Sequence, residues 1–509
     1  MTLLYEGADW DFEKLKRAYD AIEGIALGEL GLDIYPNQIE VITAEQMLDA
    51  YASNGMPLMY RHWSFGKHFA QNETLYRKGY QGLAYEIVIN SNPCIAYIME
   101  ENTMTMQALV VAHACFGHNH FFKNNHLFRE WTDADGLLDY LGFAKEYISR
   151  CEERYGLDAV ERVLDAAHAL SNQGVHRYAR RPKLSLVEER KRQQARLDHE
   201  QQVYNPIWST VPAHEGRRDE PQGLRPRSDP ETRAKLNLPE ENLLYFLEKH
   251  APKMKDWERE ILRIVRLISQ YYYPQKQTKL MNEGCATFVH YEIMTRLHER
   301  GQISDGNYLE FLHSHTNVIY QPLYDSKYYS GINPYALGFA MMQDIKRICL
   351  DPTDEDRAWL PDIAGNGDPY GTLREAWANY RDESFVLQFL TPKVIRDFRL
   401  FAVSDQRDEP ELEVSAIHDE EGYRRIRRAL ARHYETARRE PDIQVTDADI
   451  MGDRRLVLSH TVHDGITLNR QHAERVLTHV RDLWGYPVRL TEVDAKTGAP
   501  LGILEARGS

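Results

Sequence analysis

Two segments set imidazole and carboxylate groups into otherwise apolar runs. One reads Ala108-Leu109-Val110-Val111-Ala112-His113-Ala114-Cys115-Phe116-Gly117-His118-Asn119-His120; the other reads Met281-Asn282-Glu283-Gly284-Cys285-Ala286-Thr287-Phe288-Val289-His290. A polar group in such a run needs a hydrogen bond, an ion pair or a metal, and His with Glu is a usual donor set for zinc. At about 100° per residue, positions seven apart nearly coincide on a helix. His113 can thus face with His120, and Glu283 with His290. His113 and His118 are five apart and diverge by about 140°. Sharing a metal would require the helix to distort or end at Gly117, whose backbone is permissive.

Each group has a plainer reading. A lone buried histidine usually bonds a carbonyl or carboxylate. Glu283 resists that reading, because a carboxylate on the apolar stripe Glu283, Ala286, His290, Ile293, Leu297 needs a cation, donors or a proton. Cys285 or Cys115 could form a nucleophile with His290 or His113, but buried cysteines behave as small hydrophobes. His313 and His315 diverge on a helix and share a face on a strand. Tyr328, Tyr329 and Tyr335 could donate to an oxyanion, with ordinary packing the simpler reading. The segment His62-Trp63-Ser64-Phe65-Gly66-Lys67-His68 mixes aromatic and basic groups that could hold an anionic or sugar-like ligand, with a packed aromatic turn the simpler reading. His460 and His463 read as incidental.

The elements that must position these groups are mostly helical. Residues 11–30 and 43–54 are amphipathic. Glu86–Ile89 and Cys94–Met99 are β-rich, with turn chemistry at Asn90-Ser91-Asn92-Pro93, and predict a hairpin. A buried helix should start near Asn102 or Thr103, both good caps. Asp256 should open another helix, ended by Pro274. Further helices are expected from Thr278 to Glu299 and over 334–349. Residues 180–240 shift to charged and then Pro/Gly/Arg-rich composition, which predicts a linker or surface excursion. Strands are expected at Ile395–Ser404, Glu411–Ile417, Ile443–Val445, Leu456–His460, Val488–Glu492 and Gly502–Glu505. Helices are expected at Glu421–Arg438 and Gln471–Leu483. The fold class is α+β: a mostly helical domain over 1–394 with a small sheet, and a small α+β module over 395–509.

With 509 residues and 42% hydrophobic content, the chain can bury a large core. A net charge of −15 argues against a general nucleic-acid coat. The first residues lack a basic region followed by an apolar stretch, and no apolar run reaches membrane-spanning length. The five scattered cysteines form no Cys-x-x-Cys pair. A reduced, cytoplasmic, soluble protein is expected.

Asn282-Glu283-Gly284-Cys285-Ala286-Thr287 resembles the Asn-Glu-Gly-aromatic-Ala segment of gluzincin aminopeptidases, in which the glutamate is the third zinc ligand. The order of hairpin, histidine helix and glutamate helix is kept. The histidine spacing is one residue longer than in His-Glu-x-x-His, and Ala114 stands where the general base would be. A general base would have to come from elsewhere. A wider resemblance rests on Tyr60-Arg61-His62-Trp63-Ser64-Phe65-Gly66-Lys67, on His113-x4-His118-x2-Phe121-Phe122-Lys123-Asn124-Asn125 and on Tyr273-Pro274-Gln275. It also rests on Met281-Asn282-Glu283-Gly284, on Leu312-His313-Ser314-His315-Thr316 and on Gly331-Ile332-Asn333-Pro334-Tyr335-Ala336-Leu337-Gly338. These segments resemble the stage V sporulation protein R (SpoVR) family, which usually has Trp in place of Cys285. The resemblance implies a bacterial cytoplasmic protein tied to sporulation and spore cortex, or to stress physiology alongside a serine protein kinase and its partner protein.

The expected function is a metal-dependent hydrolase of peptidoglycan or peptide amides in cell-envelope biology. The metal, zinc or another divalent ion, would sit on His113, His118 and Glu283. His290 would be a fourth ligand, a partner to a ligand or a proton shuttle, so Glu283 and His290 are the catalytic candidates. The rival expectation is a non-catalytic scaffold reporting to a kinase. Nucleic-acid binding through the Arg-rich segment ranks last.

Overall fold

A computed structural model describes residues 3–53, 56, 58–77, 86–177, 191, 233, 236–323, 326–400, 403–404, 413–414, 420–435, 440–449 and 453–507. The expected excursion at 180–240 falls almost wholly outside these residues. The chain forms two compact units: residues 1–150 with 271–436, and residues 151–270 with 437–509. The boundary expected near 394 lies inside the first unit. The helix Glu420–Tyr434 accounts for this, because its Ala431 shares a core with Phe385, Val394 and Ile395. Among the described residues, no helix is long and apolar enough to cross a membrane.

The first unit holds the candidate residues. Its sheet has the order β1-β3-β2, where β1 is Asn37–Ile42, β2 is Glu86–Ile89 and β3 is Cys94–Met99. The predicted hairpin pairs Glu86 with Ile98 and Ile89 with Ile95. Strand β1 runs parallel to β3 and was not expected; its Asn-Gln-Ile-Glu-Val-Ile pattern is too mixed to stand out. Thr103 then caps the histidine helix, its side chain accepting from the Met106 amide. That helix is α-helical over Met104–Val111, π-helical over Ala112–His118, and α-helical again over Asn119–Asn124.

The glutamate helix, Lys279–Glu299, crosses both the π-helical stretch and the helix Pro334–Leu350 at very short range. A Cβ on Gly117 would lie 2.5 Å from the Ala286 Cα, and one on Gly284 would lie 2.8 Å from the Gly338 Cα. These glycines serve close backbone approach. Of the two outcomes expected at Gly117, distortion or an end to the helix, the π-helical stretch Ala112–His118 is the first. The helix from Asp256 passes through Pro274 to Gln277 instead of stopping there, and the Thr278 hydroxyl donates to the Pro274 carbonyl. The strand expected at Ile395 gives way to the helix Pro392–Asp397, with Thr391 as cap and Pro392 preset for the first turn. The strand expected at Glu411–Ile417 appears as Glu413–Val414 among the described residues.

The second unit carries β6 (Asp442–Ala448), β7 (Leu456–Val462), β8 (Val488–Asp494) and β9 (Pro500–Ala506) in sequence order. The β7–β8 pair is parallel and the others are antiparallel. The β4–β5 pair, Val403–Ser404 with Glu413–Val414, belongs to the first unit. The helix Arg470–Trp484 joins β7 to β8, opened by Asn469 and closed by Gly485 at φ 85°.

Candidate metal centre

The π-helical stretch answers the spacing problem. Its backbone repeats at i to i+5, so residues five apart share a face. The His113 and His118 rings accordingly meet edge to face at 4.6 Å between centroids. Glu283 arrives from the glutamate helix. Its Oε2 lies 3.5 Å from His118 Nε2 and 3.9 Å from His113 Nε2. Glu86, at the start of β2, brings its Oε1 to 3.7 Å from His113 Nε2. Donor atoms of Glu86, His113 and His118 all lie within 4.8 Å of one another.

These distances exceed a hydrogen bond. They are close to the roughly 3.4 Å that separates tetrahedral donors about 2.1 Å from a zinc ion. Two atoms of the cluster, His113 Nε2 and Glu283 Oε2, are buried with no hydrogen-bond partner among the described residues. His118 is oriented by its other nitrogen, with Nδ1 2.9 Å from Asn282 Oδ1. A histidine whose second nitrogen bonds an oxygen presents a fixed lone pair, as metal ligands do. The donor set therefore suits a divalent cation.

Burial, opposed by Glu283 and Asn282, pushes His118 down to about 4, which keeps it in the neutral form that binds metals. Burial also raises the Glu86 carboxyl, with nearby Glu283 adding to the rise and His113 opposing it. For Glu283, burial raises the carboxyl, but His113, His118 and Tyr335 more than offset this and the net direction is down. A cavity of about 300 Å³ adjoins the cluster, walled by Tyr271, Tyr272, Tyr335 and Phe122 beside Glu86, His118 and Glu283.

The remaining candidates separate clearly. His290 stands behind His113, its Nδ1 and Nε2 facing His113 and His315. His315 is buried with it, whereas His313 is exposed. His120 points elsewhere and accepts the Asp33 amide at Nδ1. The Cys285 thiol donates to the Gly117 carbonyl at 3.8 Å, and burial raises both its pKa and that of Cys115 well above the ordinary value. Tyr335 lines the same cavity as Glu283 and burial raises its pKa, while Tyr328 and Tyr329 are exposed. His62 bonds Ser64 and packs on Phe65, and His460 bonds Glu492.

Glu86 was missed from sequence. Its only signal is a carboxylate opening the apolar run Ile87-Val88-Ile89.

A family model described as "SpoVR like protein" matches residues 9–439, and one described as "SpoVR-like C-terminal domain" matches residues 441–495. Their junction lies close to Ala437, where the second unit resumes. "Uncharacterized protein YcgB" of Escherichia coli (strain K12) is 56% identical over 491 residues, covering 96% of this chain and 94% of that protein. No solved structure matches.

Proposed function

From the premise that the chain belongs to the SpoVR family, we propose that it is a metal-dependent hydrolase whose cation is held by His113, His118 and Glu283. The observation that carries this reading is the convergence of two buried atoms with no hydrogen-bond partner among the described residues, His113 Nε2 and Glu283 Oε2, beside His118 Nε2. The bond cleaved is an amide in a peptide or a peptidoglycan fragment. The order of sheet, histidine helix and glutamate helix supports a gluzincin-like reading of the core. The cell-envelope or stress setting, and a serine protein kinase as partner, follow from the family resemblance alone.

A divalent cation at this site supplies Lewis acidity toward a carbonyl oxygen. Glu86 takes the proton of the attacking water, the role for which residue 114 offers only alanine. Tyr335 donates to the oxygen that gains negative charge. Asn282 holds the His118 ring in its tautomer. The tyrosine walls orient the substrate and exclude bulk water.

Metal content and amide hydrolysis, measured on the same preparations, test this. Wild-type protein should hold near-stoichiometric divalent metal, and Glu283→Gln or His113→Ala should hold about tenfold less. Glu86→Gln should keep the metal and lose turnover. Equal metal in wild type and the ligand variants would sink the site. Metal without turnover on amides would return the chain to a metal-holding scaffold.

A further inference from the structure

The cluster continues into two imidazoles that hydrolysis does not require. His290 lies on the glutamate helix and His315 on the helix Asp305–Val318. His290 Nδ1 is 2.9 Å from His113 Nδ1, and His290 Nε2 is 2.8 Å from His315 Nδ1. All three rings are buried.

A neutral imidazole has one N–H, so one nitrogen donates and the other accepts. Three such rings joined by two hydrogen bonds have two self-consistent arrangements, and the proton position on His113 selects between them. When His113 Nε2 gives its lone pair to a cation, its proton sits on Nδ1 and is donated to His290 Nδ1. His290 then carries its proton on Nε2 and donates to His315 Nδ1, leaving His315 protonated at Nε2. When His113 Nε2 carries the proton toward Glu86 and Glu283, every bond in the chain reverses.

We infer that His113, His290 and His315 form a tautomer relay in which cation occupancy at His113 Nε2 sets whether His315 Nε2 is a donor or an acceptor. The inference rests on the metal reading above. On loading, the proton on His113 Nε2 leaves. The His290 Nδ1 proton passes to His113 Nδ1, the His315 Nδ1 proton passes to His290 Nε2, and one proton is taken up at His315 Nε2. The three rings together hold the same number of protons before and after. His290 and His315 are positioning residues: they hold His113 in the tautomer that presents its lone pair. They also carry the state of the buried site to a helix whose His313, Thr316 and Asn317 are exposed.

The test uses full-length protein labelled with ¹⁵N-histidine and titrated with zinc, with the His315 signals identified by their loss in His315→Asn. Ring ¹⁵N shifts separate the two neutral tautomers. His315 should change from Nδ1–H to Nε2–H on zinc addition in the wild type and stay unchanged in His290→Phe. A second measurement leaves His290 intact. His315→Asn, whose Oδ1 can accept from His290 Nε2–H, should keep zinc affinity within about threefold, and His315→Leu should weaken it about tenfold or more. Zinc binding with an unchanged His315 tautomer, or equal affinity in the Asn and Leu variants, overturns the relay alone. No zinc binding at all overturns both the relay and the metal reading.

Discussion

Glu283 and Glu292 lie nine positions apart on one helix, and their surroundings are opposite. Both Glu292 oxygens are engaged: Lys346 Nζ at 2.7 and 2.9 Å, Arg296 Nη1 at 2.7 Å and the Tyr370 hydroxyl at 2.8 Å. Burial raises the Glu292 carboxyl, but its bonds to Lys346 and Arg296 bring the net direction down. Glu283 faces imidazoles, a phenol and a second carboxylate, and its Oε2 is without a hydrogen-bond partner among the described residues. A closed ion network of the first kind holds helices together. A buried carboxylate left open at one oxygen costs stability until something fills the gap. That open oxygen is what sets Glu283 apart from Glu292 and supports the metal-ligand role proposed for it.

The largest effect expected follows from that contrast. Glu292→Gln strips the counter-charge from Lys346 and leaves Arg296 with Glu29 as its remaining carboxylate partner. Both cations are partly exposed, so the loss should be about 2 to 3 kcal/mol, below the usual range for breaking a fully buried pair. Glu283→Gln in chelator-treated protein should change stability by less than about 1 kcal/mol. Urea unfolding of the two variants side by side measures both. If Glu283→Gln is as damaging as Glu292→Gln, Glu283 is an ordinary structural carboxylate and the contrast fails.

The glycines extend the comparison from side chains to backbone. Gly284→Ala would drive a methyl to 2.8 Å from the Gly338 Cα, and Gly117→Ala would drive one to 2.5 Å from the Ala286 Cα. Helices so pressed must separate, at about 1 to 3 kcal/mol each, and His113, His118 and Glu283 would move apart with them. Gly24 is also helical but, among the described residues, a Cβ there would meet nothing within 4 Å, so Gly24→Ala should stabilise by about 0.5 to 1 kcal/mol. Denaturation midpoints give the first quantity and bound metal the second. Retention of metal in Gly117→Ala would show that the close crossing does not set the site.

These same residues show how far sequence could reach. The two polar segments were legible because charge and imidazole stand out in apolar runs, and the carboxylate at Glu283 demanded an explanation. The Thr103 cap and the hairpin before it are local chemistry, written in the residues that form them. The π-helical turn was not legible as such. Five-residue spacing signalled that an α-helix would fail, but the widened turn is fixed by packing against Ala286, a contact between residues 169 positions apart. Glu86 stayed hidden for a related reason. A glutamate at a strand end is ordinary until the fold sets an imidazole 3.7 Å away. Pro274 misled because the stop signal is local, whereas the helix continues on the strength of its packing.

The two site helices also begin differently, and that difference yields the smallest effect. The histidine helix is capped from within its own segment by Thr103. The glutamate helix has no side-chain cap from Thr278. Instead Asp382 accepts the Leu280 and Met281 amides at 2.9 Å each. Burial pushes the Asp382 carboxyl up to about 7, with the two amides opposing the rise. A folded value above the ordinary 3.8 means that folding favours the protonated form. Its contribution is therefore complete below pH 3.8, declines as the pH rises, and is gone above about 7. Asp382→Asn replaces one accepting oxygen with a donor and should lose about 1 kcal/mol at acid pH. Its stability should then stay flat over the window in which the wild type declines. Unfolding midpoints taken from pH 4 to pH 7 separate the two profiles. A wild-type profile as flat as that of Asp382→Asn would make Asp382 an ionised cap of the common kind, with its burial outweighed by the helix it opens.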